Sequence, residues 1–109
     1  MIKVGALQFS NAIPLFYAIE EKILPNDITL VWNNPIEINS LLNKGEVDVA
    51  MISSTDFLHN RYSYILLSDL GIAATEEVVS IRLFFKGTAP KLHKSKVYVP
   101  SMSATSSHL

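Results

Sequence analysis

Three stretches of small polar residues follow apolar runs in this chain, and their side chains are of the kind that hold anions. They are Ser10-Asn11, Ser53-Ser54-Thr55 and residues 101–107, the last almost entirely small and polar. Hydroxyl and amide groups donate hydrogen bonds to anions, and the unpaired backbone N–H groups at the start of a helix add to that attraction. Each stretch is also an ordinary helix cap by composition. Three of them at one edge of a sheet would form an anion-binding cleft.

Other residues that could bind a metal or a ligand, or act as acid or base, are scattered along the chain. His59, His93 and His108 are far apart in sequence and have no cysteine beside them, so they predict surface histidines and no metal site. Asp56 falls in the first turn of a predicted helix, where a carboxylate stabilises the helix dipole. Ser80 lies inside an apolar run, so its hydroxyl needs a backbone carbonyl or a ligand as partner. No Gly-rich phosphate loop and no nucleophile-elbow motif is present.

The apolar runs predict the strands that would position these side chains. Six runs have strand character, at residues 2–7, 28–32, 47–52, 62–67, 78–85 and 96–99. Their near-continuous apolar character is typical of strands covered on both faces. Because helical patterns separate the first three, we expect an α/β fold with a mainly parallel sheet. Ligands of such sheets bind beyond the carboxyl ends of the strands, which is where the polar stretches lie.

Three helices are predicted between or after these strands. The first opens after Ser10-Asn11, both good N-cap residues, with Pro14 in its first turn. Its predicted apolar face consists of Ala12, Leu15, Phe16, Ile19 and Ile23. The second begins at the Asn-Pro-Ile-Glu signal of residues 34–37 and ends at Lys44-Gly45. The polar stretch that begins at Ser53 caps a third, short helix.

Composition sets the class of protein. The chain has 109 residues, 49% of them apolar and 17% charged, as expected of one folded domain with a substantial core. A net charge of −1 without a basic cluster argues against nucleic acid as a partner. The chain has no cysteine, which excludes disulfides and thiolate metal sites. It shows neither a signal-peptide pattern nor a membrane-spanning apolar run, so we expect a cytoplasmic protein that is not bound to membranes.

The last predicted strand and its polar loop end at His108-Leu109, where the next helix would begin. A βα unit that begins and is not completed leaves its apolar surface uncovered. We therefore expect this chain to be a fragment, or an early-terminated reading frame, of a longer protein.

Several segments in order carry a family resemblance. They are residues 5–15 with a Ser-Asn-x-x-Pro-Leu core, 45–50, 52–54, 57–58, 69–73, 79–80 and 101–106. On these segments the whole chain resembles the chorismate dehydratases of the futalosine route to menaquinone. The resemblance implies a two-lobed fold similar to type II periplasmic binding proteins, in chains well over twice this length. Residues 1–86 would form the first lobe, and residues 87–109 the crossover and the start of a second, truncated lobe.

The resemblance also implies a reaction, in which chorismate loses water and gives 3-[(1-carboxyvinyl)oxy]benzoate without metal or organic cofactor. Such an enzyme is a hydro-lyase, and chorismate is its small-molecule partner. Asn11 and Ser80 would face the reacting ring. Hydroxyl groups would bind the carboxylates, namely those of Ser10, Ser53, Ser54, Ser103, Thr105 and Ser106. Met102 and Ala104 stand where family members often carry Thr and Arg, and the Ala would remove a cationic contact from this loop.

Other interpretations remain open. The 1,4-dihydroxy-6-naphthoate synthase of the same pathway shares the fold and acts on a much larger cyclic futalosine derivative. A non-catalytic protein that binds small anions would use the same cleft, although the missing signal peptide argues against it. A degraded reading frame would have no function, and the fragment is expected to be inactive on its own.

Overall fold

A computed structural model of the chain describes residues 1–23, 27–78, 82–88 and 96–100. Their elements follow one another in the order β1 (Ile2–Leu7), a 3-10 turn (Ser10–Ala12), α1 (Ile13–Glu20), β2 (Ile28–Asn33), α2 (Pro35–Asn43), β3 (Val49–Ala50) and α3 (Ser54–His59). The three strands form one parallel sheet in the order β2-β1-β3. The structure is therefore a small α/β arrangement with β1 at its centre.

The second and third strands lie on opposite sides of β1 in the sheet. The chain first moves outward to β2, with Leu7 of β1 opposite Asn33, and then crosses back to β3, with Gly5 opposite Ala50. The connection after β1 therefore leads to one side of the sheet and the connection after β2 leads back to the other, so the progression of strands reverses between β1 and β3. Loops that follow two such strands diverge to opposite faces, which opens a crevice at the carboxyl end of the sheet.

Helices α1 and α2 cover opposite faces of this sheet. Phe16 of α1 packs edge-on against Trp32, with ring centroids 5.8 Å apart and planes at 76°. Ile38 of α2 lies so close to Gly5 that a Cβ added there would be 2.8 Å from its Cγ2 atom. Gly5 and the next residue, Ala6, point to opposite faces, and Ala6 pairs with Trp32. The core is small and is built from Ala6, Leu7, Ala12, Phe16 and Ile38.

Helix α2 confirms the prediction made from its sequence. The Oδ1 atom of Asn34 accepts a hydrogen bond from the backbone N–H of Glu37 at 3.0 Å, and Pro35 is the first helical residue. The helix ends at Lys44-Gly45, where Gly45 has a φ of +70°. That left-handed conformation suits glycine, which has no Cβ to clash with the preceding carbonyl.

The predicted capping role of Ser10 and Asn11 is wrong. The residues that precede the 3-10 turn and α1 are Phe9 and Ala12, and neither caps with its side chain. The backbone N–H of Ala12 donates to the carbonyl oxygen of Phe9 at 2.9 Å. A main-chain carbonyl thus accepts the hydrogen bond that a capping side chain would otherwise accept.

Helix α1 ends earlier than its apolar pattern predicts. Lys22 adopts a positive φ of 53°, and the backbone N–H of Ile23 donates to the carbonyl of Ala18 at 3.0 Å. This closes the helix after Glu20. Ile23 is consequently 61% exposed and does not belong to the apolar face, contrary to the prediction.

Strand β3 is shorter than the predicted run of residues 47–52, and Asp48 explains where it begins. The carboxylate of Asp48 accepts from the backbone N–H of Lys3 at 2.8 Å, and its own N–H donates to the Lys3 carbonyl at 2.8 Å. Both bonds join the chain to β1 immediately before Val49. The polar residue that interrupts the apolar run therefore ties the start of β3 to the sheet.

The last three predicted strands are wrong for the residues that the structure describes. Residues 62–67, 82–85 and 96–99 form no strand, while 79–81 lie outside the described part. A strand needs a neighbour to bond its backbone and an apolar layer to cover its side chains. Ile65, Phe84 and Tyr98 instead are 93%, 88% and 92% exposed. Apolar composition alone produced these predictions.

Candidate functional site

The parallel sheet brings three polar strand ends to the same edge. Ser10-Asn11 follow β1, Asn33-Asn34 end β2, and Ser53-Ser54 follow β3. The strand order reverses between β1 and β3, so the first and the last of these pairs flank the crevice. Two of the three stretches singled out from the sequence thus lie at one edge of one sheet.

Ser10 and Asn11 present exposed polar side chains after β1. Both are exposed. Neither side chain has a hydrogen-bond partner among the residues that the structure describes. The hydroxyl of Ser10 and the carboxamide of Asn11 together offer three N–H or O–H donors. Because they do not serve as caps, a ligand would not have to break a bond to any described residue to reach them.

Ser53 is engaged within the protein. Its Oγ accepts from the backbone N–H of Asp56 at 3.1 Å and donates its hydrogen to the Asp56 Oδ2 atom at 2.7 Å. A serine hydroxyl has one hydrogen, so Ser53 cannot donate to a bound carboxylate while Asp56 holds it. The predicted capping of α3 and the helix-stabilising role of Asp56 are both confirmed.

Ser54 differs from Ser53 although the two are adjacent. Its side chain is exposed and forms no hydrogen bond with any residue that the structure describes. It is the first residue of α3, a helix of six residues. Of the predicted pair at this strand end, only Ser54 therefore has a hydroxyl hydrogen to give to a ligand.

Tyr64 joins the segment after α3 to the rest of the structure. Its phenol hydroxyl donates a short hydrogen bond to Oδ1 of Asn43, at the end of α2. Burial raises the pKa of Tyr64, and the negative charge of Asp56 raises it further. At neutral pH the phenol is therefore protonated and donates its hydrogen to Asn43. Nothing in the sequence indicated this contact, since the residue lies in one of the predicted strands.

The sequence analysis also missed the side-chain amides of Asn33 and Asn34, which lie at the same sheet edge as Ser10-Asn11 and Ser53-Ser54. We call this edge the polar edge. Oδ1 of Asn33 accepts from the backbone N–H of Asn34 at 2.9 Å, and Oδ1 of Asn34 caps α2. Both oxygens therefore accept a hydrogen bond, and neither NH2 group donates to a residue in the described part of the chain. Their position could have indicated this, because they follow an apolar run as Ser10 and Ser53 do. The sequence analysis predicted only that Asn34 caps α2.

Four of the predicted site residues lie outside the described part of the chain: Ser80, Ser103, Thr105 and Ser106. In residues 1–23, 27–78, 82–88 and 96–100, no group of three or more His, Cys, Asp or Glu side chains could hold a metal ion. The helices in those ranges are all too short or too polar to cross a membrane.

Known proteins resemble this chain along nearly its whole length. A family described as menaquinone biosynthesis matches residues 2–109. The chain is 32% identical over 103 residues to the chorismate dehydratase of Thermus thermophilus. The aligned region covers 94% of this chain and 36% of that relative, so the chain spans little more than a third of the relative's length. No solved structure gives a significant match.

Proposed function

The chain belongs to the menaquinone biosynthesis family, and we propose that its function is the dehydration of chorismate to 3-[(1-carboxyvinyl)oxy]benzoate. We place this reaction at the first step of the futalosine route. The curated relative supports the choice of reaction. The structural observation that carries the proposal is the pair Ser10 and Asn11. Their exposed side chains, which have no partner among the described residues, follow β1 beside the reversal of strand order.

The proposed reaction is an elimination from a cyclohexadiene ring. One ring carbon loses a proton and its neighbour loses the hydroxyl group, while the electron pair of the broken C–H bond completes the aromatic ring. Proton and hydroxide together leave as one molecule of water. The protein must hold two carboxylates, receive the proton and assist the departing hydroxyl. Aromatisation provides the driving force.

The free side chains suit two of these tasks. The carboxamide of Asn11 can donate an N–H to the departing hydroxyl, but it is not a base at neutral pH, so another group receives the ring proton. The hydroxyls of Ser10 and Ser54 can donate to the carboxylates. Ser53 supports them indirectly, because its bonds to Asp56 hold the start of α3.

The test uses the protein encoded by the complete reading frame, incubated with chorismate while the aromatic product is followed by absorbance. Asn11→Ala should lower kcat/KM by about a hundredfold, the usual effect of removing one preorganised donor. Asn43→Ala is the matched control, since Asn43 is an exposed asparagine at the end of α2, away from the edge at which the parallel strands end. It should leave the rate near that of the wild type. Product formation no faster than the uncatalysed reaction would contradict the proposal.

The alternatives give different outcomes in the same assay. A 1,4-dihydroxy-6-naphthoate synthase would turn over the cyclic futalosine derivative and not chorismate. A small-anion-binding protein would bind its ligand and release it unchanged, and a degraded reading frame would do neither. The name of the relative favours chorismate dehydratase among these.

We also propose that the whole protein has the two-lobed fold of type II periplasmic binding proteins, with residues 1–86 in the first lobe and 87–109 in the crossover and the start of the second lobe. The parallel order β2-β1-β3 is compatible with that fold. The cytoplasmic location and the absence of a cofactor stay predictions from the sequence.

A further inference from the structure

We draw no further inference here: the strongest candidate, the outer edge of strand β2 (Ile28–Asn33), which has no charged residue and no proline to discourage pairing with another strand, carries none because nothing in the described part of the chain shows what covers it.

Discussion

Ser53 and Ser54 are neighbours with the same side chain, and one hydrogen bond separates their roles. The hydroxyl of Ser53 gives its hydrogen to Asp56 at 2.7 Å and caps α3, whereas that of Ser54 is unpaired within the described residues. Ser53→Ala should therefore lower the free energy of unfolding by about 1 kcal/mol, the usual cost of losing an N-cap. Ser54→Ala should change it little. Urea denaturation of both variants measures the difference.

The same pair can be compared for ligand binding. Ser54→Ala should weaken carboxylate binding more than Ser53→Ala does, since only Ser54 has a hydrogen to donate. A larger loss of affinity in Ser53→Ala would contradict this assignment and would show that the cap of α3, or the Ser53 hydroxyl itself, matters more for binding than the hydroxyl of Ser54.

Tyr64 makes stability depend on pH in the alkaline range. Burial raises its pKa above the ordinary 10.0, and the charge of Asp56 adds to the shift. The folded state then holds the phenolic proton more tightly than the unfolded state. The resulting stability is complete below the unfolded pKa and is lost as the pH rises through the higher folded pKa. Urea unfolding between about pH 8 and 11 should show this decline.

Tyr64→Phe should flatten that decline, because the variant has no phenolic proton to lose at this position. Tyr62→Phe is the control, since Tyr62 is 90% exposed. An unchanged pH profile in Tyr64→Phe would show that the alkaline loss of stability has another origin.

At the scale of the elements, Gly5 decides how closely α2 can approach β1. A Cβ at this position would lie 2.8 Å from Ile38 Cγ2 and 3.2 Å from the Cβ of Ala50. Ile38 is fully buried, so a shift of its side chain would disturb the packing around it. Gly5→Ala should therefore lower the free energy of unfolding by about 1–3 kcal/mol, as overpacking of a core does. Gly71→Ala is the control, because nothing lies within 4 Å of its added Cβ. Equal midpoints in urea for the two variants would contradict this packing.

The sequence predicted the elements whose signals are local and failed where distant contacts decide. Helix α2 carries its cap at Asn34 and its stop at Gly45 within its own sequence, and both are as predicted. A strand depends on a partner elsewhere in the chain, so the apolar composition of residues 62–67 could not establish one. The polar edge could be predicted because parallel strands end together. The hydrogen bond from Ser53 to the Asp56 carboxylate could not be predicted, because it depends on the orientation of a single hydroxyl group.

At the scale of the whole molecule, burial is concentrated in the first half of the chain. All of the buried apolar residues among those described lie between Ala6 and Val47. Beyond α3, Ile65, Leu66 and Leu70 are 93%, 70% and 67% exposed. Apolar groups that are not buried contribute nothing to stability, so the sheet and its helices carry most of it.

This uneven burial predicts a steep contrast in amide hydrogen exchange. β1 is bonded on both sides, and Asp27 and Asp48 extend the bonding at its first residues. Its amides should exchange only through global unfolding. No amide of residues 64–78 donates a backbone hydrogen bond to a described residue, so these should exchange at nearly the unprotected rate. Mass spectrometry of peptides from the two regions measures the difference. Slow exchange in residues 64–78 would contradict it, because protection there requires partners for those amides and hence a layer over the apolar side chains beside them.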